Sequence, residues 1–126
     1  MLRIATCQMT SGPDLGANLQ IAESLIRKAA REGANLALLP EMFTIMSNDP
    51  KDVLHAAERY QDGPVQKIMA GLAKSLGIWV AAGTIRLQSD EEHRVIWMRS
   101  DRRRGTVVHK ERQWNIIYQN SGSCRR

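Results

Sequence analysis

The chain is bound to a parallel sheet by its first forty residues, where two strand-like runs are separated by one amphipathic stretch and almost no loop. Arg3-Ile4-Ala5-Thr6-Cys7-Gln8-Met9 is a short apolar run closed by Thr10-Ser11-Gly12-Pro13, the pattern of a buried strand ending in a turn. Asp14 then stands where a helix needs its N-cap. Leu19, Ala22, Leu25, Ile26 and Ala29 fall on one face at helical spacing, and Gly33 supplies the stop. Asn35 to Leu39 follows at once as a second strand. Strands joined through a helix cannot form a hairpin, so the crossover makes them parallel, with a right-handed connection expected. Helices must then cover at least one face of the sheet.

The second strand ends on an acid. In Leu36-Ala37-Leu38-Leu39-Pro40-Glu41 the proline has no backbone donor and ends the ladder. Glu41 is thereby delivered to the carboxyl edge of the sheet, where open α/β folds keep their ligand sites. A glutamate held there is a candidate acid or base. Beyond it, Met42 to Ser47 reads as irregular, and Asn48-Asp49-Pro50 opens a short helix from Lys51 to about Tyr60. Asp62-Gly63-Pro64 starts a further helix with Val65, Ile68, Met69, Leu72, Ala73 and Leu76 on one face and Gly77 at its end. A third apolar run, Ile78 to Ile85, completes a β-α-β-(α)-α-β order, an α/β layered arrangement.

Composition narrows the function classes. At 126 residues, 43% hydrophobic and 25% charged, the chain describes one globular domain or a piece of one. No run approaches the roughly 18 consecutive apolar residues of a membrane span. Met1-Leu2-Arg3 leads straight into a strand without the apolar core of a secretion signal. The cytoplasm is the expected compartment, with no membrane partner. Cys7 and Cys124 lie at opposite ends of the chain, too few and too far apart for a disulfide framework or a metal cluster, so neither metal nor cofactor is expected. The net charge of +5 is unevenly spread: residues 1–94 carry 10 basic and 11 acidic side chains, and residues 95–126 carry 8 basic and 2 acidic. The basicity describes the tail and not the domain.

These residues carry a resemblance. Cys7-Gln8-Met9-Thr10-Ser11, Asn18-Leu19, Ala29-Ala30 with Gly33-Ala34, Leu39-Pro40-Glu41 with Phe43, Asp62-Gly63-Pro64 and Gly83-Thr84-Ile85 stand in one order along the chain. From Arg3 to about Arg94 it resembles the N-terminal part of the carbon–nitrogen hydrolase (nitrilase) superfamily, most similar to the branch of omega-amidase-like and deaminated-glutathione amidases. The resemblance implies a truncated portion of an α-β-β-α sandwich. It also implies amidase-type hydrolysis of a non-peptide C–N bond in a small carboxylic amide.

The chemistry follows from the bond. An amide carbon is a poor electrophile, so a thiolate nucleophile that splits hydrolysis into acylation and deacylation helps near neutral pH. A base must take and return a proton, and the oxyanion needs a stabilising charge. The family resemblance assigns these roles to a Glu, Lys and Cys triad, of which only the Glu has a matching motif here, with Glu41 as general base. Lys110, in Val107-Val108-His109-Lys110-Glu111-Arg112, has no aromatic before it and no His after it, so the lysine role is not carried over. Cys124 is followed only by Arg125 and Arg126, and Cys7 within the first strand reads as a small buried hydrophobe. No residue is a convincing nucleophile, and the chain alone is expected to be inactive.

The resemblance is expected to end near residue 95, leaving a partial family domain over 1–94 and a divergent basic tail over 95–126. A frameshift or an altered gene end would account for the sudden change of composition. The rival reading from another class is a nucleic-acid-binding module, because Arg102, Arg103 and Arg104 stand among Trp97, Trp114 and Tyr118. The aromatics follow no strand or helix period that would set them beside the arginines, which disfavours nucleic acid. A third reading is a non-catalytic partner protein that keeps half a fold. Exposed strand edges favour self-association into a homo-oligomer.

Overall fold

A computed structural model describes residues 1–59 and 62–88 in full and the backbone of 94–97 and 109–112. The elements run β1 (Ile4–Thr6), α1 (Leu15–Arg31), β2 (Leu36–Leu38), α2 (Pro50–His55), α3 (Pro64–Leu76), β3 (Trp79–Ala81), β4 (Arg94–Trp97) and β5 (His109–Arg112). β1, β2 and β3 form one sheet in that order, and both pairings are parallel, as the crossover argument requires. β4 and β5 form a separate antiparallel pair with Ile96 opposite Lys110.

Register decides the two faces of the sheet. Ala5, Ala37 and Val80 lie side by side. Ala37 and Val80 are fully buried and share one core cluster with Ala22, Ile26 and Ala29 of α1 and with Val65, Met69, Leu72 and Ala73 of α3. Both helices therefore cover the same face. Small side chains on the central strand let the helices sit close, and each large one buried there contributes about 1.5–3 kcal/mol of hydrophobic stabilisation. The opposite face carries the rows Ile4, Leu36, Trp79 and Thr6, Leu38, Ala81. Its side chains are half-buried or exposed, Ile4 at 52%.

The helices form where the sequence puts their signals. Asp14 caps α1 by accepting from the Ala17 N–H at 3.0 Å, and Lys28 and Arg31 stand in its last turn, where cations suit the helix dipole. α3 begins at Pro64 and ends at Gly77, as read from the sequence. The strands are shorter than the apolar runs, and α2 stops at His55 instead of near Tyr60. Residues 56–58 leave the helix because Glu58 pairs instead with the segment after β3, its N–H donating to the Arg86 carbonyl at 3.0 Å. One core expectation fails: Ile68 is 37% exposed, while Gln66 is buried. At roughly 100° per residue Ile68 and Gln66 flank the Val65-Met69-Leu72-Ala73 face on opposite sides at similar angles. Gln66 is the one that is covered, its side-chain amide donating to Glu58 at 3.1 Å and to the Arg59 carbonyl at 2.7 Å. Among the described residues no helix is long and apolar enough to cross a membrane.

Candidate active site

The three strands end at one edge, and the backbone there is built around Pro40. The Cys7 N–H donates to the Leu38 carbonyl at 2.8 Å, and the Leu39 N–H donates to the Ala81 carbonyl at 2.9 Å, so pairing continues one step past each strand. Pro40 then offers no donor. Gly83, in the left-handed region at φ 50°, presses against this point, where a Cβ would collide with the Pro40 carbonyl. Only a glycine lets the end of β3 approach β2 so closely.

Glu41 follows at this edge and is exposed. The next residue, Met42, has φ 55°, among the described residues the one non-glycine in the left-handed region. Such a conformation is uncommon outside Gly, Asn and Asp, and where it occurs the surroundings hold it in place. Here the hold is visible: the Met42 N–H donates to Thr84 Oγ1 at 2.8 Å. Phe43, Thr44 and Ile45 then turn back into the interior, Phe43 completely buried. Glu41 thus stands exposed between buried Leu39 and buried Phe43, with the turn that follows it pinned by Thr84.

Asn18 ties this edge together from α1. Its side-chain oxygen accepts from the Gly12 N–H at 2.9 Å, and its amide nitrogen donates to the carbonyls of Gly12 at 2.8 Å and Thr44 at 2.9 Å. The Met46 N–H donates to the Gly12 carbonyl at 3.0 Å. The loop after β1 and the loop after Glu41 are thus joined by a buried amide whose donor and acceptor groups are all used.

A second carboxylate, absent from the sequence expectations, lies nearby in the chain. Glu58 is buried. It accepts from the Val65 N–H at 2.6 Å, the Gln66 N–H at 3.3 Å and Gln66 Nε2 at 3.1 Å. Gly63 offers α3 no side-chain cap, so Glu58 supplies the acceptor from a distance, with the helix dipole in its favour. A Cβ on Gly63 would overlap that carboxylate. The signal existed in the sequence: Gly-Pro at a helix start, without Ser, Thr, Asp or Asn at the cap, demands an acceptor from elsewhere.

The remaining expected residues divide. Cys7 is buried at the end of β1, and burial pushes its thiol up from the ordinary value of 9.0, away from the thiolate a nucleophile needs. Lys110 lies on β5, where only the backbone is described. Arg102 to Arg104, Trp114, Tyr118 and Cys124 lie outside the described residues, as does nearly all of the proposed tail. Among the described residues no three His, Cys, Asp or Glu side chains gather as metal ligands.

Comparison with known proteins bears on this arrangement directly. The carbon–nitrogen hydrolase family model matches residues 3–124. The chain belongs to the carbon–nitrogen hydrolase family. Among its relatives, the human deaminated glutathione amidase is 40% identical over 80 residues, 64% of this chain and 24% of that protein. The bovine protein of the same name is 39% identical over the same length. A nitrilase from Pyrococcus abyssi is 30% identical over 95 residues, 71% of this chain and 36% of that protein. This carbon–nitrogen hydrolase chain therefore spans about a quarter of the length of the amidases it matches. Its fold is that of the nitrilase superfamily: Saccharomyces cerevisiae Nit3, a member of branch 10, superposes with TM-score 0.72 at 24% identity over 88% of this chain and 43% of that one. The C. elegans NitFhit protein gives TM-score 0.68 at 23% identity over 89% and 28%. The fold is accordingly a partial α/β domain with a parallel sheet, from the N-terminal part of that superfamily.

Proposed function

We propose that this chain supplies the general base of an amidase-type site, Glu41, for hydrolysis of a small carboxylic amide, and that it does not turn over such amides on its own. The carrying observation is the position of Glu41: exposed after a proline-ended strand, in a turn pinned by Thr84 and closed by Gly83. A carboxylate there can take a proton from a nucleophile and return it to the leaving amine. The described residues offer no activated thiol beside it, since burial keeps Cys7 protonated. The nucleophile and the oxyanion-stabilising lysine of the family scheme are thus left to residues outside this site.

Two experiments test the reading. In the first, the purified chain, Glu41→Gln and Cys124→Ala are assayed on simple omega-amides such as succinamate-like substrates. No turnover is expected from any of them, and turnover lost in both variants would make Cys124 a nucleophile and overturn the proposed inactivity. In the second, residues 3–88 replace the matching segment of a full-length deaminated glutathione amidase. Glu41→Gln in that chimera is expected to lower kcat by roughly 10²- to 10⁴-fold, the range for a general base. An equal rate in both chimeras would remove Glu41 from the mechanism.

A further inference from the structure

The turn carrying Glu41 is fixed by a side chain whose partner is a backbone amide, at the one place where strand pairing cannot do the work. β2 pairs with β3 up to Leu39, whose N–H donates to the Ala81 carbonyl at 2.9 Å. Pro40 ends that ladder because it has no N–H. Met42 then needs an acceptor, and it finds the Thr84 hydroxyl at 2.8 Å instead of a carbonyl. The two residues are 42 apart in sequence, so this bond closes the strand end across the sheet edge. Met42 at φ 55° and Gly83 at φ 50° show that both sides of the contact are held in the left-handed region.

We infer that Thr84 is a positioning residue for Glu41, its hydroxyl holding the Met42 N–H and so fixing the turn from which the Glu41 carboxylate meets an amide substrate. The inference rests on the reading of Glu41 as general base. A hydroxyl is required, not merely the volume: valine has nearly the shape of threonine without the acceptor, and serine keeps the acceptor with one methyl fewer. Losing the acceptor leaves the Met42 N–H without its partner beside a residue already in a costly conformation. The turn then relaxes, and Glu41 is displaced with it.

The test uses the whole chain, isotope-labelled for NMR, as wild type, Thr84→Val and Thr84→Ser. Amide exchange at Met42 is expected to speed up roughly 3- to 10-fold in the valine variant and to stay near wild type in the serine variant, the range for loss of one ordinary hydrogen bond. The side-chain carboxyl resonance of Glu41 is expected to move in Thr84→Val and to return in Thr84→Ser. The Glu58 carboxyl resonance should hold still in both and reports that the fold is intact. A merely structural role would move Met42 alone, or both carboxyls together. An unmoved Glu41 resonance in Thr84→Val, or a serine variant that behaves like valine, overturns the inference. Should Thr84→Val fail to fold, Thr84→Ala carries the same comparison with serine. None of these signals depends on turnover, so a failed general-base reading and a failed positioning role give different results.

Discussion

Glu41 and Glu58 are seventeen residues apart in the sequence and opposite in circumstance. Glu58 is buried, and its carboxylate accepts from two backbone amides and one side-chain amide. Glu41 is exposed at a strand end, in a turn that other residues hold in place. A carboxylate whose lone pairs are spent on a helix start is committed to structure. One presented at a sheet edge, beside a strained and pinned backbone turn, is the one proposed for chemistry. The difference teaches that a buried, fully engaged carboxylate is explained by the fold it supports, whereas an exposed one at a sheet edge is the candidate the proposed function rests on.

Removing each carboxylate breaks or sharpens that contrast. Glu58→Ala strips the start of α3 of its acceptors and is expected to cost about 3 kcal/mol in urea unfolding. Glu41→Gln is expected to stay within about 0.5 kcal/mol of wild type, as exposed substitutions do. Equal losses would erase the distinction. Next in size, Gly83→Ala sets a Cβ against the Pro40 carbonyl and forces alanine into φ 50°. The expected cost is about 2 kcal/mol, read as a lower urea midpoint. Its amide-shift changes should centre on Glu41, Met42 and Thr84 and spare the Glu58 region.

The smallest effect comes from the thiol at the end of β1. Burial raises the Cys7 thiol above its ordinary 9.0, so the folded chain keeps a proton that the unfolded chain gives up first. Its contribution is fully present below about pH 9 and is lost as pH rises through the higher folded value. Cys7→Ala should therefore flatten the alkaline limb of the stability curve, on top of a pH-independent packing loss of about 1 kcal/mol. Peptide-resolved iodoacetamide labelling should find Cys7 slow in the folded chain and fast in urea; fast labelling of folded Cys7 would contradict its burial.

What the sequence made legible was whatever repeats locally. The helical period of Leu19, Ala22, Leu25, Ile26 and Ala29, the Asp14 cap and the Gly77 stop placed α1 and α3 correctly. The strand-helix-strand order dictated the parallel sheet. Leu39-Pro40-Glu41 marked the edge at which the candidate base stands. The rest depended on partners distant in the chain. Glu58 meets α3 only because its segment pairs with Arg86 to Gln88, and that pairing also ends α2 early. Thr84 reaches Met42 across 42 residues. A run of apolar residues also overstates a strand: Arg3 to Met9 yields three paired residues because the flanking ones serve loops and edge contacts. Ile68 and Gln66 border the same helix face from opposite sides, and the side that is covered is set by the distant Glu58, to which Gln66 donates.

The amide of Asn18 has a dynamic consequence. By holding Gly12 on one side and Thr44 on the other, it couples two surface loops separated by β2 and the whole of α1. Opening on the Thr44 side costs the Asn18 side chain one hydrogen bond and opening on the Gly12 side costs it two, so movement of either loop loosens the anchor of the other. The Gly12 amide donates to Asn18 and the Met46 amide to the Gly12 carbonyl, so both protons are held at this one junction. Asn18→Ala is therefore expected to speed amide exchange at Gly12 and Met46 together, and a change at one of them alone would break the coupling.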